Sequence, residues 1–554
     1  MYQDQNNSNS PGRLSIWLPL LFALILVAGI LIGMRLQSNG PTIATETPEA
    51  PIHALGQGKV EEILRYIEAK YVDEVDREAL VQEVIEQMLA KLDPHSNYIT
   101  AEQLREVNEQ LEGNFDGIGV EFMMLDDTIV VVAPLAGGPS EAAGILAGDK
   151  IVQISDSTIA GVRMDTRDVI NMLRGEKGTD VEVGILRGRE KKVRKFTITR
   201  DEIPMHSVDV AYMLDDKTGY IKVNRFSATT YEEFMKGLEK LVEGKGMEDL
   251  VIDLRHNPGG YLQQATNILS QLFSRKDKLL VYTEGRAVSR SNYESTGRAF
   301  FDIDDIVVLI DEGSASASEI LAGAIQDHDR GVIVGRRSFG KGLVQEQYKL
   351  RDGSALRLTV ARYYTPSGRS IQKPYEGDVD AYENEMAERF ESGELAGTFH
   401  ASTPDSTRYY TDNGRVVYGG GGISPDVFVP IDTIILNDEY LQLRQHVPQF
   451  VFRYMSETGK GMEEYTLSSF SRNFEVSDDL LDKFVAYAKG HGVDIGPGGV
   501  TGSKMEIKRF IKARIAKHLF DDEGFYTVWN KDDKMIKEAL KTLEKSTPLT
   551  ASQE

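Results

Sequence analysis

The sequence predicts a mixed α/β chain that carries a β-rich module, a helical lead-in and a helical C-terminal region. Three patterns predict it. From about residue 205 to 430, short apolar runs of strand length alternate with amphipathic helices, as in a layered α/β fold. From about 113 to 201, short strands are punctuated by turns at Gly148-Asp149 and Gly178-Thr179-Asp180. Over 59–112, and again over 431–554, the pattern is mainly helical.

The chain has 554 residues, enough for about three or four domains with their own cores. Apolar residues make up 41% and charged residues 27%, the balance of an ordinary globular protein. It contains no cysteine, which excludes cysteine nucleophiles, thiolate metal sites and disulfides. The formal charge is −23 with no long basic run, so nucleic acid is not an expected partner. The basic stretch Arg187–Arg200 reads as the charged edge of a strand pair. No metal or cofactor is implied.

After a short tail over 1–13, residues 14–34 form an uncharged apolar run between Arg13 and Arg35. As a helix this run spans roughly 30 Å, the thickness of a bilayer's hydrocarbon core. A cleaved signal peptide has a shorter apolar region closed by a small-residue site, and no Ala-x-Ala closes this one. A transmembrane anchor is therefore expected, with a Pro/Thr/Gly-rich linker over 35–58. Residues 59–112 read as helical, with Val60, Ile63, Leu64 and Ile67 on one face. The β-rich module over 113–201 holds strands at 129–133, 150–154, 181–186 and 196–199 and one helix at 167–173. The α/β core over 202–430 holds strands at 220–223, 250–254, 306–310 and 332–334, and helices at 231–242, 261–273 and up to about 326. Polar, acidic residues 376–415 read as an insertion in that core, and 431–554 as a helical C-terminal region.

The chemistry concentrates in Asp311–Gly342. A buried-type strand runs into Gly-Ser-Ala-Ser-Ala-Ser and then into a helix. A serine at such a turn is exposed at the sheet end, beside the free N–H groups and positive dipole of a helix N-terminus. Ser316 followed by Glu319 also fits a capping box, in which the serine only starts the helix. A cap alone leaves the second small-residue loop, Gly340-Lys341-Gly342, without a purpose. The stretch Gly335–Lys341 matches the first seven positions of a phosphate-binding loop, but Gly342 stands where Ser or Thr must hold magnesium, and a strand rather than a helix follows.

Four segments, Leu92-Asp-Pro-His-Ser-x-Tyr98, Asp253-Leu-Arg-x-Asn-Pro-Gly-Gly260, Glu312-Gly-Ser-Ala-Ser-Ala-Ser-Glu319 with its continuation to Ala324, and Phe339-Gly-Lys-Gly-x-Val-Gln345, resemble those of the C-terminal processing, or tail-specific, serine proteases. The resemblance covers about 90–430 and is weak before 60, within 376–415 and after 430. It implies an α/β protease core with crotonase-like layering and an inserted PDZ domain. It implies that Ser316 is the nucleophile, Lys341 the general base and Gln345 the residue that orients the lysine. On a strand Lys341, Leu343 and Gln345 share a face, so the Lys–Gln bond is geometrically reasonable. The oxyanion hole would be the N–H groups of Gly259 or Gly260 and Ala317. Gly117-Ile118-Gly119-Val120 would be the PDZ carboxylate-binding loop. Glu319 and Asp327 match supporting positions, with helix capping and salt bridging as the plain alternative.

The implied chemistry is coherent. A serine needs a base to become a nucleophile, and burial can bring a lysine, ordinarily near 10.4, down by several units. Ser–Lys pairs are a known variant of the triad. A histidine base is less favoured, although His256 and His328 lie close by, and His95 reads as structural. The expected function is an endopeptidase whose partners are proteins or peptides with exposed C-terminal tails, with room for self-association or an adaptor. The expected location is the membrane, with the bulk of the chain periplasmic. The alternatives are an inactive PDZ and protease-fold scaffold, a trypsin-like protease, which lacks its Gly-x-Ser-Gly-Gly site here, and a crotonase-like acyl-CoA enzyme, against which the Ser316–Lys341 pair argues.

Overall fold

The computed structural model describes residues 58–162, 164–375, 379–397, 407–432, 437–462, 464–496, 500 and 502–545, and the chain divides into two compact units, 1–81 and 82–554. The described part of the first unit holds α1 (Lys59–Lys70) and the start of α2 (Arg77–Ala90). Arg77 joins them by ion pairs to Glu61 (2.8 Å) and Glu68 (3.2 Å). These pairs are exposed and screened, so they hold the helices only weakly.

In the second unit β1 (Asn97–Ile99) leads into α3 (Ala101–Glu112), which opens on a capping box between Thr100 and Gln103. The β-rich module follows: β2 (Asn114–Gly117), β3 (Val120–Leu125), β4 (Thr128–Pro134), α4 (Pro139–Ala142), β5 (Lys150–Ile154), β6 (Ser157–Thr158), α5 (Thr166–Leu173), β7 (Asp180–Leu186), β8 (Arg194–Thr199) and β9 (Asp201–Pro204). Its main sheet runs β3-β4-β5-β7-β8, with every pairing antiparallel. Strand periodicity explains the packing: Val181, Val183 and Ile185 point to one face and meet Ile129, Val131 and, from α5, Val169 and Leu173.

The core comprises β10 (Val208–Met213), β11 (Thr218–Val223), α6 (Thr230–Lys245), β12 (Asp249–Asp253), α7 (Leu262–Leu272), β13 (Lys276–Glu284), β14 (Ser291–Thr296), β15 (Ile306–Ile310), α8 (Ala317–Asp327), β16 (Val332–Gly335), β17 (Leu343–Lys349) and β18 (Ala355–Tyr364). Beyond it come α9 (Val379–Glu391), β19 (Arg408–Tyr410), β20 (Val416–Tyr418) and β21 (Val427–Phe428). The central sheet runs β10-β11-β12-β15-β16-β21; β10 is antiparallel to β11 and the other pairs are parallel. A second, antiparallel sheet runs β1-β18-β13-β14, with β17 also paired to β18.

Helices α10 (Asp438–Thr458), α11 (Leu467–Asn473), α12 (Asp478–Gly490), α13 (Lys504–Asn530) and α14 (Lys534–Lys545) complete the chain. The first four share a core of their own around Phe450, Phe470, Phe484 and Ile511. The last one belongs to the protease core. On β12 and β15 alternate residues face opposite ways: Leu250, Ile252, Ile306 and Val308 pack with α6, α7 and α8, while Val251, Val307 and Leu309 pack with Met535, Ile536, Ala539 and Leu543 of α14. The end of the chain thus seals the second face of the central sheet.

Two expectations are corrected. The anchor expected at 14–34 lies outside the described residues, and among the described residues no helix is long and apolar enough to cross a membrane. The membrane-spanning helix, the membrane as a partner and a periplasmic location therefore do not stand; an apolar run shows compatibility with lipid, which is less than a spanning structure. Crotonase-like layering is replaced by a mixed central sheet beside a separate antiparallel sheet. Strand–helix alternation predicts the α/β class, but it is silent on pairing partners such as β21, which closes the edge of the sheet from far along the chain.

Candidate active site

The site is built where β12, β15 and β16 end together, at the C-terminal edge of the parallel sheet. Such an edge leaves loops free to carry chemistry while the strands hold them. After β12, the buried Asn257 joins two loops: its carbonyl accepts from Ala315 N (3.0 Å) and Ser318 Oγ (2.9 Å), and its amide donates to Val223 O (3.0 Å). After β15, Ser314 Oγ donates to Leu254 O at 2.8 Å, and His256 N donates to Asp311 Oδ1 at 2.8 Å. The turn between them ends at Ser316, which has φ 55° and ψ −113° and stands directly before α8. A serine rarely adopts that backbone conformation, and such strain gathers at functional sites.

Gly259 has φ 98°, and a Cβ there would lie 2.7 Å from Ala315 O and 2.7 Å from Ser316 Cβ. Only glycine fits between these loops. Of the expected oxyanion donors, Gly259 N–H is already held by Asn257 Oδ1 at 2.9 Å. The N–H groups of Gly260 and Ala317 have no acceptor among the described residues, which makes them the available pair.

Glu319 is fully buried and joins the two catalytic loops. Its Oε2 accepts from Ser316 N (2.8 Å) and Lys341 N (2.9 Å), and its Oε1 from Ser338 Oγ (2.6 Å) and Gly340 N (2.7 Å). The expected capping box pairs Ser316 with Glu319, whose carboxylate reaches back to Ser316 N at 2.8 Å. Burial pushes the Glu319 carboxyl up to about 7 in spite of these four donors.

Lys341 stands just before β17 rather than on it, and the strand is irregular between Val344 and Gln345. Its Nζ nevertheless donates to Gln345 Oε1 at 2.9 Å. Gln345 Nε2 donates in turn to the carbonyl of His95, which fixes the orientation of the amide. Burial first, and then the positive charge of Arg357, hold the Lys341 amine below its ordinary range; Glu319 and Asp93 pull the other way. Ser316 and Lys341 line one cleft of about 920 Å³ with Gly259, Gly260 and Gln345. No hydrogen bond joins the Ser316 hydroxyl to Lys341 Nζ in this structure.

Tyr363 lacked a local signal, and the Leu92–Tyr98 segment carried one without a stated role in the site. The Tyr363 hydroxyl, on β18, bonds to the carbonyls of both Ser316 (3.1 Å) and Lys341. Asp93 accepts from His95 N (2.8 Å), Ser96 N (2.8 Å) and Thr359 Oγ1 (3.1 Å), so the Asp-Pro-His-Ser segment is pinned to β18 and presents the His95 carbonyl. The His95 ring contacts the Tyr382 hydroxyl at 2.7 Å, and burial together with Lys341 lowers it to about 4, so it is neutral. Asp327 lies at the opposite end of α8 from Ser316, paired with Arg369 at 2.7 Å, and does not line the cleft. Gly117–Val120 lie in the β-rich module. Ile118 is buried, its carbonyl accepts from Ser140 Oγ (2.6 Å) and Ser140 N (2.9 Å), and the N–H groups of Ile118 and Gly119 have no acceptor among the described residues.

Comparison with known proteins adds three family matches. Residues 217–381 match peptidase family S41, residues 117–199 match the PDZ domain, and residues 439–521 match a family of unknown function, DUF8443. The chain is 39% identical over 321 residues to the carboxy-terminal processing protease CtpB of Bacillus subtilis, a match spanning 57% of this chain and 65% of that one. It is 35% identical over 353 residues to the carboxy-terminal-processing protease of Bartonella bacilliformis, spanning 63% of this chain and 80% of that one. Among solved structures, a photosystem II D1 C-terminal processing protease aligns at 29% identity and a TM-score of 0.34, covering 67% of this chain and 87% of the other.

Proposed function

We propose, for a chain that belongs to peptidase family S41, the C-terminal processing serine proteases with a PDZ domain, a serine endopeptidase mechanism run by Ser316 and Lys341. The observation that carries the reading is the state of Lys341: a half-buried amine, held down in pKa, fixed by Gln345 and sharing a cleft with a strained serine at a helix N-terminus. A neutral amine has two N–H donors and one lone pair. Gln345 takes one donor, which leaves the lone pair for the Ser316 hydroxyl.

Ser316 Oγ attacks the substrate carbonyl and its proton passes to Lys341 Nζ. Charge builds on the carbonyl oxygen, and the Gly260 and Ala317 N–H groups stabilise it beside the positive end of α8. Lys341 then returns the proton to the departing amine and leaves an acyl-enzyme on Ser316. Water, deprotonated by the same lysine, releases the new C-terminus. The loop Gly117-Ile118-Gly119-Val120 captures the carboxylate of a substrate tail through its free N–H groups while the tail pairs along β3.

Cleavage of an unfolded protein with an apolar C-terminus by the full chain, beside Ser316→Ala and Lys341→Ala, tests this. Turnover by the parent alone is the expected result. Turnover by Ser316→Ala would remove the serine from the reaction. A parent that binds the tail without cutting it would point to the inactive scaffold.

A further inference from the structure

Several arginines that are half-buried or deeper in this chain hold carboxylates. Arg255 pairs with Asp253 at 2.6 Å, Arg336 with Glu312 at 2.6 Å, Arg337 with Glu394 at 2.8 Å and Arg369 with Asp327 at 2.7 Å. Arg357 departs from that pattern. It lines the catalytic cleft, it is half-buried, and the one hydrogen bond of its guanidinium among the described residues is a long one, 3.4 Å, to the neutral Gln347. Among the described residues no carboxylate lies within ion-pair distance of it. The lining of the cleft is positive even with Lys341 neutral: Arg225 and Arg357 stand against a single acid, Glu346, which accepts from the Tyr348 hydroxyl at 2.6 Å. A positive cleft on a chain of net charge −23 is a local arrangement rather than a reflection of composition.

A half-buried guanidinium without a counter-charge is costly to keep, and its planar donors suit a carboxylate. We propose that Arg357 is a specificity-determining residue that receives a substrate carboxylate in the catalytic cleft. The inference rests on reading this cleft as the site of peptide cleavage. In the β17–β18 register Gln347 lies opposite Arg357 and Gln345 opposite Thr359. The strand position of Arg357 therefore lies about 7 Å along from that of Gln345, the residue that holds Lys341. That distance suits a substrate residue two or three positions from the bond that is cut. The carboxylate has two sources, an acidic side chain or the terminal carboxylate of a short tail.

The test uses the full chain and a set of C-terminally amidated peptides, each carrying one Asp, or its Asn twin, at one of three positions on either side of the cleaved bond. A neutral peptide with a free or an amidated end forms the second arm. The expected result is a kcat/KM ratio, carboxylate over amide, of about tenfold or more at one position. That ratio falls toward one in Arg357→Gln and is partly restored in Arg357→Lys. A ratio carried by the Asp arm assigns the side chain; one carried by the free end and lost in Arg357→Gln assigns the terminus. A ratio near one throughout in the parent, or a ratio that survives Arg357→Gln, overturns the proposal and leaves the dyad standing. If the parent cuts nothing, affinity of the same peptides for Ser316→Ala decides: an Asp preference that needs Arg357 keeps the subsite and sinks the dyad, and no preference sinks both.

Discussion

Glu319→Gln puts the joint between the two catalytic loops to the test. The carboxylate serves four donors, two on each oxygen. An amide keeps one oxygen and turns the other into a donor. The lower-cost orientation keeps oxygen toward Ser316 N and Lys341 N and places NH2 toward Ser338 and Gly340, because the Ser338 hydroxyl can rotate whereas the Gly340 N–H cannot. One buried backbone N–H then loses its acceptor, a cost of about 1–3 kcal/mol. The opposite orientation orphans two backbone N–H groups, at about 2–6 kcal/mol. The expected outcome at pH 8, where the parent carboxyl is ionised, is a loss of about 1–3 kcal/mol in the local stability of residues 311–345, read by native-state hydrogen exchange of the full chain. A fall in kcat/KM of about tenfold to a hundredfold should accompany it, since small displacements of reacting groups are expensive. Exchange and kcat/KM both within twofold of the parent would refute the argument that Glu319 holds the loops together.

Other predictions follow from the same geometry. Lys341 must be neutral to act as base, so kcat/KM for a neutral peptide rises with pH through a pKa below that of free lysine; Arg357→Gln removes a cation that lowers this pKa and should shift the rising limb to higher pH, and an unmoved limb counts against the electrostatic account. Between the lowered folded value and 10.5 the unfolded chain binds the extra proton, so stability rises with pH across that window. Lys341→Met should accordingly melt higher than the parent at pH 7, with a smaller advantage above pH 10.5, as thermal unfolding would show. Gly259→Ala forces a Cβ to within 2.7 Å of Ala315 O at φ 98° and should abolish turnover, with reduced yield of folded protein. Ile536→Ala, on the helix that seals the central sheet, should cost about 2–5 kcal/mol in urea denaturation although it lies far along the chain from every catalytic motif.

Much of this molecule is written locally. The strand over 306–310 is apolar throughout because both of its faces are buried, and the small residues after it can only turn. The turn, the helix start and Glu319 three residues beyond Ser316 mark a loop-to-helix junction without any knowledge of the rest of the fold. The same local signal could not say whether the serine hydroxyl caps the helix or is left free, because that depends on the backbone at φ 55°, imposed by the loop carrying Asn257. The Lys341–Gln345 spacing is likewise readable, whereas the irregularity before Gln345 is a property of pairing with β18. Tyr363, the His95 carbonyl and the unpaired Arg357 reach the site from strands and loops far apart in sequence, and no periodicity records such meetings. The apolar run at 14–34 met a length criterion and nothing more. Sequence by itself determined the α/β class, the β-rich module and the residue types that carry the chemistry, because these follow from hydrophobic period and turn chemistry. Only the tertiary structure decided the strand order, the helix that seals the sheet and the charge around Lys341, because those are set by which distant surfaces exclude water from one another.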